Sequence, residues 1–122
     1  MNELIFRVPL KITYKWSLNK IYAGVLPWVR TRDKRFILNL VRPLFYGRKI
    51  KTFDKPVMIE MQFKSRLDVS NHSYLFKMIE DAMVDLKIIE NDSDKFVKEI
   101  RQKKQVIFDG IIVYVREYEE SE

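Results

Sequence analysis

The residues best suited to chemistry lie between Asp68 and Asp94, where the chain reads DVSNHSYLFKMIEDAMVDLKIIENDSD. Asp68 follows a strand-like apolar run, at the place where a chain turns from sheet into helix, and carboxylates in such turns can point into a cleft. Lys77 and Asp81 stand four residues apart, so on a helix they share one side, roughly opposite the apolar stripe. Beyond the helix, Glu90, Asn91, Asp92 and Asp94 form a dense acidic turn. A strand-end carboxylate and a post-helix carboxylate can converge on one hard cation, which takes oxygen ligands and keeps several waters. Such an ion neutralises a phosphate oxygen and generates hydroxide, while a nearby lysine stabilises the pentacoordinate transition state. On that chemistry Asp68 and Asp92 are candidate ligands of Mg²⁺, with Asp81 completing or supporting the site and Lys77 a candidate for the scissile phosphate. The same residue types also fill plainer roles. Asp and Asn are common in loops and caps, and a Lys77/Asp81 pair is often a solvated ion pair worth a few tenths of a kcal/mol. Spacing alone leaves both readings open.

The rest of the chain narrows the choice. With no cysteine there is no disulfide scaffold, zinc finger or thiol nucleophile, so a metal must be held by oxygen or by the single histidine, His72. His72 has no assigned partner near the start of a helix and is expected to be a surface or capping residue. No GxxxxGK[ST] or GxGxxG pattern is present, and no nucleophile-elbow spacing supports a serine hydrolase. Net charge is +6, but its distribution says more: residues 1–51 carry twelve Lys/Arg against two Asp/Glu, and residues 52–122 eleven against fifteen. A basic half joined to an acidic half suits a protein that grips phosphates with one and a divalent cation with the other. Arg30, Arg32, Lys34 and Arg35 form a candidate phosphate grip, and Trp16, Tyr22 and Trp28, interleaved with Lys15, Lys20 and Arg30, are suited either to base stacking or to a core edge.

These groups need a scaffold, and 122 residues of globular composition suggest one domain over 1–122. ELIFRVPLKITY, residues 3–14, alternates as a strand, with Pro9 arguing for an edge or a bulge. Ser17 to Gly24 reads as a loop, and apolar positions Phe36, Ile37, Leu40, Val41 and Leu44 predict a helix from about Thr31 to Phe45. VMIEMQF, residues 57–63, is a strand with Val57, Ile59, Met61 and Phe63 on one face. Leu75, Ile79, Ala82, Met83 and Leu86 mark the core side of a helix from Asn71 to about Lys87. Two β-rich runs, Lys95–Ile107 and Ile111–Tyr118, are joined through Asp109-Gly110 as an expected hairpin, and the charged end from Glu117 is expected to fray. The outline is an α+β domain, with a mixed sheet of about four strands and two main helices packed on it. The apolar run Ile21 to Val29 is too short to span a bilayer, so no membrane partner is expected and a cytoplasmic, nucleoid-associated location is.

The central segment resembles the RusA family of Holliday-junction resolvases. Asp68-Val69-Ser70-Asn71 matches that family's acidic turn after a strand, Lys77 and Asp81 match its helix, and Asn91-Asp92 matches its later acidic pair. Ser17-Leu18-Asn19-Lys20-Ile21-Tyr22 is similar to its Asn- and Tyr-containing loop, so the likeness covers most of the chain in order. It departs at Ser70 and Asn91, where the family carries acids, and in a helix three residues longer between Asn71 and Lys77; Asp81, Glu90 or Asp94 could supply the missing charge. The resemblance implies a homodimeric, Mg²⁺- or Mn²⁺-dependent endodeoxyribonuclease that cuts opposed strands of a four-way DNA junction. It also implies DNA contacts from Asn19, Lys20 and Asn71. Because Ser70 replaces an acid, a branched-DNA-binding module of the same fold with weakened catalysis stands as the alternative.

Overall fold

The computed structural model describes residues 2–120; Met1 and the last two positions of the charged end lie outside them. Strand β1, Glu3–Pro9, alternates exposed and buried positions throughout, placing Leu4, Phe6 and Val8 on the core. It lies at a sheet edge, as Pro9 requires, since proline cannot donate to a ladder. A single 3-10 turn, Tyr14–Trp16, leads to the short helix α1, Leu18–Tyr22, whose N-cap Ser17 accepts a bond from Asn19 N at 3.1 Å. The expected loop is thus a capped helical turn. Helix α2 runs from Pro27 to Val41 and starts four residues earlier than the apolar period indicates. Pro27 at its first turn has the dihedral a helix start needs and gives up only an amide that would be unpaired. Pro43 then turns the chain into a 3-10 segment, Arg42–Phe45, ending the helix short of Phe45.

Strand β2, Val57–Phe63, agrees with its sequence pattern. A 3-10 turn, Val69–His72, precedes α3, Ser73–Asp85, so Asn71 belongs to the turn and not to the helix. The last strands are β3, Val97–Lys104, and β4, Gly110–Glu117. They do not form the expected hairpin. The sheet order is β1-β4-β2-β3: β4 pairs antiparallel with β1 and β2, and β3 pairs parallel with the outer side of β2. The segment between β3 and β4 steps across the end of β2, tied there by Gln105 N to Phe63 O at 3.0 Å and Lys64 N to Gly110 O at 3.1 Å. Gln105 shapes this crossing with its side chain, donating to Phe108 O and accepting from the amides of Ile107 and Phe108. Asp109-Gly110 therefore starts a central strand. Gly110 is required there because its φ is +148° and an added Cβ would lie 2.1 Å from Val8 O.

Central position explains composition. β4 and β2 are apolar and almost wholly buried, whereas edge strand β3 carries Lys98, Glu99, Arg101, Lys103 and Lys104, charges that keep an edge from pairing with another chain. The core lies between the helices and the face bearing Val57, Ile59, Met61, Phe63, Ile111, Val113 and Val115. Helix α3 contributes Leu75, Ile79 and Met83, all with no exposed surface, and α2 contributes Ile37 and Val41. Each such side chain stabilises by about 1.5–3 kcal/mol over exposure. This packing holds α3 rigidly and leaves Lys77 on its outer side.

Candidate functional site

Lys77 is the centre of the charged cluster on α3. Its Nζ lies 3.4 Å from Glu80 Oε1 and 3.3 Å from Asp81 Oδ1, and it donates to Asp92 Oδ2. Glu80 and Asp81 reach it by helical spacing, three and four residues on. Asp92 arrives from the turn after the helix, and buried groups hold that turn in place. Lys87 takes a left-handed φ of 62°, which reverses the chain, and Ile88 and Ile89 then sink into the core with 1% exposure each. A bond from Phe53 N to Ile88 O at 3.0 Å and a parallel bridge between Phe53 and Ile89 tie the turn to the approach of β2. Asn91 is a local brace, its Oδ1 accepting from Ser93 N at 2.9 Å. The fourth contributor is Lys34 of α2, whose Nζ is 3.9 Å from the other oxygen of Asp81.

The electrostatics follow from this geometry. Partial burial pulls the Lys77 ammonium towards neutrality, but the bond to Asp92 and the fields of Asp81 and Glu80 outweigh it and raise its pKa. The same bond holds the Asp92 carboxyl below its usual range. Glu80 goes the other way: burial raises it, and Lys77 only partly offsets that. Lys77 is thus a fixed cation, Asp92 a fixed anion, and Glu80 the member nearest to carrying a proton. Sequence reading missed Glu80, although its three-residue step from Lys77 was the available signal.

Of the expected residues, the structure brings Lys77, Asp81 and Asp92 together and adds Lys34 from the basic group. Asp68 is the N-cap position of the 3-10 turn, exposed, and its side chain makes no cap bond. It has no ion pair among the described residues. Glu90 and Asp94 are exposed as well. Asp81, Asp92 and Glu80 offer only carboxylate oxygen, the donor type Mg²⁺ or Mn²⁺ takes, so the donor chemistry fits a hard ion. Among the described residues no three acidic or histidine side chains stand as a ready ligand set. The carboxylates are turned instead to the ammonium of Lys77.

The remaining candidates divide. Arg30, Arg32, Lys34 and Arg35 are all exposed on α2, and Arg32 lies over the Trp28 ring at 5.2 Å. Asn19 and Lys20 lie on α1, and Asn71 is half-buried in the turn before α3. Trp16 is a core residue stacked on Phe36 at 5.8 Å, while Tyr22 and Trp28 are exposed.

His72 is not at the surface. It has no exposed area and stacks on Phe63 at 4.3 Å with an 11° interplanar angle. Nδ1 lies 2.9 Å from Val69 O and Nε2 2.6 Å from Ser65 Oγ. A carbonyl can only accept, so Nδ1 carries the proton and Nε2 accepts from the Ser65 hydroxyl. Burial lowers the His72 pKa, the bond to Val69 partly opposes this, and Lys104 adds to it. A turn of 3-10 helix, unforeseen from sequence, rotates this ring inward.

Asp33 also escaped the sequence reading. It is buried on α2 and accepts from Tyr74 Oη of α3 at 2.8 Å, with Arg32 at 3.6 Å and Lys15 at 4.0 Å. Burial and the bond to Asp33 raise the Tyr74 pKa, fixing its hydroxyl as a donor. This pair locks α2 to α3 and thereby sets Lys34 beside Asp81. No helix is long and apolar enough to cross a membrane among the described residues. Compared with known proteins, the sequence matches no family model and no curated protein at a significant level.

Proposed function

We propose that the chain is a RusA-like endodeoxyribonuclease that acts, as a homodimer, on branched DNA such as the four-way junction. The observation that carries this reading is the meeting at Lys77 of Asp92 from one turn with Asp81 from α3, beside Lys34 of the basic helix α2. Asp92 and Asp81 would hold Mg²⁺ or Mn²⁺, joined by Asp68 from the turn before α3. When bound, that ion supplies charge neutralisation at phosphate and an activated water. Lys77, kept cationic by its carboxylates, stabilises charge developing on the scissile phosphate. Arg30, Arg32 and Arg35 grip flanking phosphates, and Asn19, Lys20 and Asn71 contact the strands nearer the junction. A two-fold substrate is matched by a two-fold protein, whose paired sites nick opposed strands.

The second reading is a branched-DNA-binding module with weakened catalysis. It is favoured by the neutral Ser70 in the exposed turn and by the fact that three carboxylates are already engaged with Lys77.

The test mixes the protein with a synthetic four-way junction and a linear duplex, with Mg²⁺ or EDTA. Paired nicks that disappear with EDTA, with Asp68→Ala and with Asp92→Asn support the nuclease. Binding without nicks, with cleavage gained in Ser70→Asp, supports the module. Equal, weak binding to both DNAs without cleavage by any variant rejects both.

A further inference from the structure

β1 and β3 both run parallel to β2, because β1 opposes β4 and β4 opposes β2. Three strands therefore deliver their C-terminal ends to one end of the sheet. The segments leaving them, Leu10–Tyr14, Lys64–Leu67 and Lys104–Gly110, line an open trough of about 1310 Å³. That exceeds the roughly 300–1,000 Å³ of a small-molecule pocket, so the shape suits a chain more than a monomer. Its floor and walls are apolar, with Leu10, Ile12 and Leu67 among them, whereas four cations, Lys11, Lys64, Arg66 and Lys104, face one carboxylate, Asp109. Lys64 is tied to Asp109 at 2.6 Å, which leaves Lys11, Arg66 and Lys104 without an ion pair among the described residues. Tyr14 lines the trough and is 60% exposed, which leaves its ring face open to a ligand. The wall is firm at Ser65, whose hydroxyl is bonded to buried His72 and also accepts from Leu67 N at 3.1 Å.

We propose that this trough is a track for single-stranded polynucleotide, with backbone phosphates on Lys11, Arg66 and Lys104 and a base stacked on Tyr14. Cations along a groove combined with an exposed aromatic face are what sequence-tolerant single-strand binding requires. A duplex presents phosphates but no free base face, so Tyr14 selects the single strand. Asp68 follows the trough residue Leu67 directly in the chain, so a strand lying here leads towards the turn of the candidate nuclease site. The inference rests on the nuclease reading only for that destination; binding itself needs neither metal nor cleavage.

The test measures anisotropy of a short fluorescein-labelled oligothymidylate with the full chain, in EDTA, across a salt series. A triple variant, Lys11→Ala with Arg66→Ala and Lys104→Ala, should flatten the slope of log affinity against log salt by about 2, since each single-strand phosphate contributes about 0.7. The equally discharged control, Arg42→Ala with Lys95→Ala and Lys98→Ala, should keep the wild-type slope. Tyr14→Ala should weaken binding at least about fivefold and Tyr14→Phe should restore it. Thermal melts confirm that each variant is folded. Equal losses in the trough and control variants overturn the proposal, as does an unchanged salt slope or a linear duplex bound as tightly as oligothymidylate regardless of Tyr14. Failure of the nuclease reading would look different: no junction nicks, with oligothymidylate binding and its Tyr14 dependence intact.

Discussion

His72 makes stability respond to pH in a way that can be isolated. Its ring is buried, neutral, and bonded on both nitrogens, with a pKa that burial holds below the usual histidine range. In the unfolded chain the ring takes up a proton near pH 6.5. Above that value both states are neutral and the full native stability is present. As pH falls below it, the unfolded state binds a proton that the native ring does not, so stability declines until the folded pKa is reached. The decline is at most about 1.4 kcal/mol per pH unit. Only the thickness of Ser65 separates the ring from the trough, and solvent there screens part of the effect, so this slope is a ceiling. The perturbation is His72→Asn, whose amide can still donate to Val69 O but does not titrate. At neutral pH it should cost about 2 kcal/mol, from the lost bond to Ser65 and the lost ring stacking on Phe63. Urea unfolding at a series of pH values then compares the two proteins. The gap between them should narrow as pH drops below about 6.5, because only the wild type loses this term. Glu80, whose raised pKa acts in the opposite sense, titrates in both proteins and cancels in the difference. A gap that stays constant or widens on acidification refutes the assignment of a neutral, proton-excluding His72.

Three further outcomes follow from the same contacts. Gly110→Ala should cost at least about 3 kcal/mol, because a Cβ at that positive φ collides with the Val8 carbonyl, and circular dichroism melts would report it. Tyr74→Phe should cost about 2 kcal/mol in urea unfolding by removing the only hydrogen bond to the buried Asp33 carboxyl among the described residues. Asp92→Asn should change stability by less than about 1 kcal/mol, since the pair with Lys77 is half in solvent, and under the proposed nuclease function it should abolish junction nicking.

Much of the scaffold was legible because single-element patterns report directly on burial. The alternation of Val57, Ile59, Met61 and Phe63 is the core face of β2, and the Leu75, Ile79 and Met83 stripe is the core face of α3. The i,i+4 step of Lys77 and Asp81 likewise became a contact, because helical spacing is local. Pairing order is not local. Asp109-Gly110 has hairpin chemistry, yet β2 takes the place beside β4 that β3 would fill, since the mostly apolar and buried β2 gains more from two neighbours than the charged, largely exposed β3 does. His72 was misread for a related reason: one 3-10 turn changes which side faces inward, and nothing in the sequence of that turn announces it.

Charge shows the same limit most clearly. Divided along the sequence, the chain is a strongly basic half followed by an acidic one, which points to residues 1–51 as the phosphate grip. Folding redistributes those charges by topology. The trough takes Lys11 from the first half but Lys64, Arg66 and Lys104 from the second, because β1, β2 and β3 all end there. Conversely Lys34, from the basic half, is spent on Asp81 at the acidic cluster, and Asp33, one of only two acids in that half, is buried against α3. A linear count of charge therefore gives the balance of each half but not which cations share a surface. Phosphate affinity at short range depends on which cations lie free along one continuous surface, and the parallel arrangement of three strand ends gathers Lys11, Arg66 and Lys104 on one such surface.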